Sequence, residues 1–153
     1  IICRVQGKAV GGGVGMACAG DYCFATKFSS IKLSELAVGI GPFVVGPAVE
    51  RKSGISAYST LSINATKWFN AEWAREKGIY SEIFDSNDEM DKEISLLVKE
   101  LLESNPEAIK KLKEVFWSGT SDWDKLLEER AEYSGQLVLS DFTKQAIARF
   151  KTK

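Results

Sequence analysis

The rhythm of apolar and polar residues changes once along this chain, near residue 85. Before that point short apolar runs are cut by glycine and proline; after it, apolar residues recur at helical spacing. Residues 1–6 alternate weakly and read as a strand, with Gly7-Lys8 as a turn. Gly13 to Ala19 is small-sided and suits a helix opened by glycines, its N-terminus facing a pocket. Asp21 ends that helix, and YCFA (22–25) reads as a buried strand. SSIKLSE (29–35) reads as a short strand running into a polar loop. GIGPFVVGP (39–47) is turn-rich, with Pro42 and Pro47 suited to first helical turns. Residues 47–63 predict a helix interrupted at Gly54, and 71–77 a helix ended by Gly78, followed by IYSEIF as a strand.

Beyond Ser86 the expected elements are all helices. Ser86-x-x-Glu89 is a capping box, and Met90, Ile94, Leu97, Val98, Leu101 and Leu102 share a helical face. Asn105-Pro106 opens a second helix, with Ile109, Leu112, Val115 and Phe116 as its stripe. Asp122 can cap a third, carrying Leu126, Leu127, Leu137 and Val138. Asp141 can cap a fourth, with Ala146, Ile147 and Phe150. The sequence carries no internal repeat. The expected organisation is an α/β part over 1–85 and a helical part over 86–153, with helices 106–153 in an oligomer contact or covering the core.

Composition narrows the chemistry. The 153 residues are 44% hydrophobic and 27% charged with a net charge of −1. This is the balance of a folded globular protein with no electrostatic bias toward nucleic acid or anionic membranes. No apolar stretch has the length of a membrane span. Cys3, Cys18 and Cys23 form no CxxC pair, so reduced thiols and a cytoplasmic setting are expected. Histidine is absent. That excludes Ser-His-Asp and Cys-His catalysis, and a metal site is not expected. Acid–base work must fall to carboxylates, Lys, Tyr or Cys. The first residue is Ile, within what reads as a strand already under way, so further residues of a longer protein are expected before it.

AVGGGVGMACAGD (9–21) poses the main question, because glycine runs weaken regular structure unless backbone must turn tightly or approach something closely. A dinucleotide GxGxxG fails here: the sixth position is Met16 counted from Gly11, and Cys18 counted from Gly13. A Walker loop fails at GPAVERKS (46–53), where Arg51 stands in place of the required glycine. Three openings remain: a close helix–strand contact, a ligand approach, or an oxyanion hole. In the last, side-chain-free N–H groups at a helix start receive an oxygen that gains charge.

Three stretches, VQGKAVGGGVGMACAGDYCFAT (5–26), IKLSELAVGIGPFVVGP (31–47) and FNAEWAREKGIYSEIF (69–84), occur in an order that resembles the crotonase superfamily, the enoyl-CoA hydratase/isomerase family. Gly7, Ala9, Gly11 to Gly13, Ala17 and Asp21 fall in register with its glycine-rich signature. The resemblance covers the C-terminal portion of a family chain. It implies an α/β fold, a partial crotonase-like core of stacked ββα turns in a spiral, followed by an α-helical trimerisation region that also covers the active site. It also implies an acyl-CoA thioester as substrate, with coenzyme A as part of that substrate and no separate cofactor, and a homotrimer or hexamer. Gly12 would supply one N–H of the oxyanion hole, with Gly11, Gly13 and Gly15 lining the substrate. The other N–H would lie in a loop outside this chain.

Family hydratases carry glutamates three residues after the oxyanion glycine and again after the next short strand. Here those positions are Gly15 and Glu35. Water addition benefits from two carboxylates, whereas moving a double bond needs one base to carry a proton between two carbons. Double-bond isomerisation by Glu35 is therefore favoured over enoyl-CoA hydration. A crotonase-like protein that binds acyl-CoA or assembles without turnover is the third reading. Lys32 and Lys67 are expected to be surface charges. KQAIARFKTK (144–153) departs from the family's usual tail, and its basic residues are not assigned to a site.

Overall fold

The computed structural model describes residues 1–151; residues 152–153 and the side chains of Phe150 and Lys151 lie outside the described part, including the basic position Lys153. In chain order come β1 (Ile2–Val5), β2 (Lys8–Val10), α1 (Gly12–Ala19), β3 (Tyr22–Thr26) and β4 (Ser30–Lys32). A 3₁₀ turn (Glu35–Val38) and α2 (Gly46–Ile63) follow, then β5 (Phe69–Asn70), α3 (Ala71–Glu76) and β6 (Glu82–Phe84). The chain continues as α4 (Asn87–Glu103), α5 (Pro106–Phe116), α6 (Trp123–Val138) and α7 (Asp141–Lys151).

Successive strands go to different sheets. One sheet has the order β1-β3-β6 and is parallel; the other has the order β2-β4-β5, parallel between β2 and β4 and antiparallel between β4 and β5. Ile2 pairs with Tyr22 and Lys8 with Ser30, so one circuit of the chain adds a strand to each sheet. This strand–strand–helix circuit is a structural repeat without a sequence repeat. What recurs is backbone path, and the second circuit is enlarged by the 3₁₀ turn and the long α2.

The central strand β3 buries Cys23, Phe24, Ala25 and Thr26. A continuous buried run of this kind is what a parallel strand covered on both faces requires. Helix α1 lies between the sheets and α2, with Val14, Ala17 and Cys18 in the core beside Ile31, Leu33, Val49 and Leu61. Small side chains suit it because its neighbours approach on more than one side.

Several local expectations change. Lys8 begins β2 rather than completing a turn. Pro42 precedes a non-helical turn, and only Pro47 sits in the first turn of α2. The interruption of α2 at Gly54 is present, with φ 79° and ψ 160°. In IYSEIF only Glu82–Phe84 pairs as a strand, while Ile79 and Tyr80 pack into the core outside the ladder. The Ser86 hydroxyl accepts the Glu89 N–H, as the capping box requires. Asp122 occupies its N-cap position without a side-chain bond, and Ser140, not Asp141, accepts the Thr143 N–H at the start of α7. Ser140 directly precedes the helix, and an N-cap hydroxyl reaches the free N–H of the third helical residue, here Thr143.

Met90 is the fully buried anchor of α4. The stripe on α5 is open: Leu112, Val115 and Phe116 are each at least half exposed.

Candidate functional site

The site is built where β2 runs into α1 and β4 runs into the 3₁₀ turn. Parallel pairing of Val10 with Lys32 brings both junctions to the same end of the second sheet. Gly11 seals them together, its N–H donating to the Lys32 carbonyl at 3.0 Å. Gly11 has φ 52° and ψ −113°, a conformation that side-chain-bearing residues rarely adopt. Its carbonyl accepts the N–H groups of Val14 and Gly15, at 2.9 and 3.1 Å, and so starts α1. The N–H groups of Gly12 and Gly13 have no partner among the described residues. These are the unsatisfied donors of a helix start, bearing partial positive charge with no side chain in front of them.

Glu35, first residue of the 3₁₀ turn, reaches back to this junction. A Cβ placed on Gly11 would lie 2.7 Å from Glu35 Oε1, so the carboxylate stands against the bare α-carbon of Gly11. Its Oε2 is buried with no hydrogen-bond partner. Burial pushes the Glu35 carboxyl above its usual range, while the backbone N–H groups of Glu35 and Ser34 oppose that shift without cancelling it. A half-buried carboxylate with an unpartnered oxygen holds a proton more readily than an exposed one.

The turn that carries Glu35 is held at its far end as well. Gly39, at φ 86°, donates its N–H to the Leu36 carbonyl, and its α-carbon meets α7: a Cβ there would come within 2.6 Å of the Thr143 Oγ1. Thr143 is fully buried at this contact. Beyond the turn, a cavity of about 490 Å³ is lined by Leu36, Ile40, Phe43, Tyr58 and Leu137 among others. The Tyr58 hydroxyl donates to the Pro42 carbonyl at 3.1 Å.

Thus Gly11, Gly12, Gly13 and Glu35 come together at one junction. Gly15 is different. It is buried in the contact between α1 and α2, where a Cβ would lie 2.7 Å from Val45 Cγ1. Val45 fills the space a side chain at position 15 would need. Gly12, at the helix start expected to face a pocket, is exposed, and nothing lies within 4 Å of where its Cβ would be. Val45, Thr143 and Tyr58 were not singled out in the sequence. The turn punctuation of GIGP (39–42) was the available signal for a tight seat near Glu35, but it does not say what sits there.

A larger cavity of about 700 Å³ lies elsewhere, between the turn after α1, the α2 helix and the α5–α6 connection. It mixes Asp21 and Glu50 with Arg51, Lys52 and Arg130. Two of those cations are committed: Lys52 donates to the carbonyls of Gly20 and Asp21, and Arg51 lies over the Trp117 ring and donates to the Phe116 carbonyl. Lys32 and Lys67 pack over Trp68 and Phe69, with ammonium-to-centroid distances of 4.5 and 5.0 Å. Among the described residues, no group of three His, Cys, Asp or Glu side chains is arranged to hold a metal. No described helix is long and apolar enough to cross a membrane.

One parallel and one mixed sheet, each gaining a strand with every circuit of the chain, beside a helix opened by glycines, make an α/β fold of the crotonase class. The enoyl-CoA hydratase/isomerase family model matches residues 1–152, and the chain belongs to that family. It is 26% identical to a peroxisomal Δ3,5-Δ2,4-dienoyl-CoA isomerase of Arabidopsis thaliana, over 97% of this chain and 54% of that protein. Its fold is similar to an enoyl-CoA hydratase/isomerase from Pseudoalteromonas atlantica, with TM-score 0.90 and 18% identity over 99% of this chain and 61% of that one. An enoyl-CoA hydratase from Mycobacterium avium gives TM-score 0.86 and 25% identity, over 99% of this chain and 59% of that one. The chain therefore spans little more than half the length of these relatives.

Proposed function

We propose that this protein acts on an acyl-CoA thioester and moves a carbon–carbon double bond, with Gly12 and Glu35 in the two central roles. The Gly12 N–H receives the thioester oxygen as it gains negative charge, and Glu35 takes a proton from one carbon and returns it to another. The observation that carries this reading is the seat of Glu35: its carboxylate touches Gly11, the residue just before an unpaired N–H at a helix start. A donor for the enolate oxygen and a proton acceptor for the adjacent carbon chain are the two parts such a reaction needs. Gly11 and Gly13 border the thioester. The second N–H of the hole and the remaining wall over Gly12 would come from residues outside this chain.

Isomerisation is favoured over hydration because Glu35 is the carboxylate against the junction among the described residues, while Val45 fills the space beside Gly15. The curated relative, a dienoyl-CoA isomerase by name, is in keeping with this preference. Coenzyme A enters only as part of the substrate, and no separate cofactor is required. The exposed apolar stripe on α5 supports a homotrimer or hexamer. Three free cysteines, two of them buried, suit a reducing compartment such as the cytoplasm.

The test is turnover by the full-length protein. Conversion of a 3-enoyl-CoA to its 2-enoyl isomer is expected. Hydration of a 2-enoyl-CoA without any double-bond migration would overturn the single-base reading. Tight acyl-CoA binding with neither reaction would instead assign the protein a binding or assembly role.

A further inference from the structure

We infer that Gly11 is a positioning residue for Glu35, the bare face of its α-carbon being the seat that fixes the carboxylate relative to the Gly12 N–H. The inference rests on the reading of Glu35 as the proton carrier.

Glu35 Oε2 is buried without any hydrogen-bond partner. No ion pair holds the group among the described residues. Apart from backbone N–H groups of its own turn, those of Glu35 and Ser34, the carboxylate is located by what it packs against, and Oε1 packs against Gly11. A Cβ on that residue would lie 2.7 Å from Oε1 and 3.5 Å from the carboxyl carbon, closer than real side chains tolerate for the first of these. The seat itself is rigid. Gly11 donates its N–H to Lys32, three residues before Glu35, and accepts two N–H groups of α1. One residue thus touches the base through its α-carbon, is tied to the strand that carries the base, and precedes the oxyanion donor by a single peptide. Distance between base and donor is set through it. A side chain at position 11 would move the carboxylate away from the donor without removing either group.

The experiment is a pair of double-variant cycles in the full-length protein. Gly11→Ala adds the methyl group and Glu35→Asp withdraws the carboxylate by one methylene. If the two act on one contact, isomerisation by the double variant exceeds the product of the single effects by at least about fivefold. The coupling is read in kcat, because Gly11 also borders the thioester and its replacement can move KM by itself. In a second cycle, read by thermal unfolding, the loss of stability caused by Gly11→Ala shrinks when Glu35 is replaced by Ala. That cycle still reports if Gly11→Ala alone is too unstable to assay. A ¹³C-carboxyl titration of Glu35 should also show its raised pKa moving toward the ordinary glutamate value in Gly11→Ala.

Multiplicative kinetic effects together with an unchanged stability loss in the Glu35→Ala background would overturn the proposal, since Gly11 would then matter only for its own backbone. Absence of isomerisation in the unaltered protein would overturn the functional reading instead, and the stability cycle and titration would still decide the role of Gly11.

Discussion

Lys113, on α5, donates to both carboxylate oxygens of Asp21 at 2.7 and 2.8 Å, while the Trp117 indole N–H adds a third bond at 3.0 Å. The pair joins the helical part of the chain to the turn between α1 and β3. Burial alone would raise the Asp21 pKa, but hydrogen bonds led by the one from Lys113 outweigh it and hold the group well below the usual carboxylate range. A group whose pKa is depressed by folding adds stability above its unfolded value, about 4, and loses that contribution as pH falls through the folded value.

Asp21→Asn is accordingly expected to destabilise the protein by about 1–3 kcal/mol at neutral pH, the range for bonds to a charged group in a partly exposed setting. The deficit relative to wild type should shrink as pH drops below about 4. Urea unfolding at pH 7 and at pH 3 measures it, and an equal deficit at both would contradict the role given to the Asp21 charge.

Glu35→Gln keeps the shape of the side chain and removes the proton acceptor. Isomerisation is expected to fall by ~10²–10⁴-fold with little change in substrate binding. In the unaltered protein kcat/KM should decline toward acid with an apparent pKa above that of ordinary glutamate, because burial raises it. Stability moves the other way. Folding raises this carboxyl's pKa, so the native state holds its proton more tightly, and stability falls as pH rises through the raised value. Thermal melts should find the Gln variant gaining on wild type between pH 4 and pH 8. A constant difference across that range would contradict the burial argument.

Gly15→Ala places a methyl group against Val45 and is expected to cost about 1–3 kcal/mol, the range for overpacking in a dense contact. Adding Val45→Ala should recover part of that loss. If Gly15→Ala is neutral, α1 and α2 adjust more freely than their packing implies. The same contact predicts that Gly15→Glu alone will not create hydratase activity, whereas Gly15→Glu with Val45→Ala makes room for a second carboxylate.

The exposed stripe of α5 gives a prediction about assembly. Leu112→Glu with Val115→Glu should leave far-UV circular dichroism unchanged, since both residues are at least half exposed. The mass measured by light scattering should drop from that of a trimer or hexamer to that of a monomer. An unchanged mass would place the oligomer contact on another face.

Some of this protein is dictated locally, and that part could be read from residue order. Ser86 with Glu89, Asn105 before Pro106, and Gly78 after α3 act within one helical turn, so their chemistry marks the helix ends without reference to anything distant. The buried strand at 22–25, one residue short of β3, and the glycine-opened α1 were likewise legible, because an apolar run and a run without side chains each permit few structures. Lys8–Val10 was not legible as a strand: three residues become β2 only because Ser30–Lys32 arrives beside them. The candidate site divides in the same way. The identities of Gly12 and Glu35 were suggested by resemblance, and the absence of histidine narrowed the bases to be considered. That Glu35 rests on Gly11, that Val45 fills the space beside Gly15, and that Thr143 seats the far end of the Glu35 turn are contacts between residues far apart in sequence. A sequence names the groups available for chemistry and the turns they sit on. Which groups touch is decided by packing, because only the close approach of separate elements determines where a side chain has room.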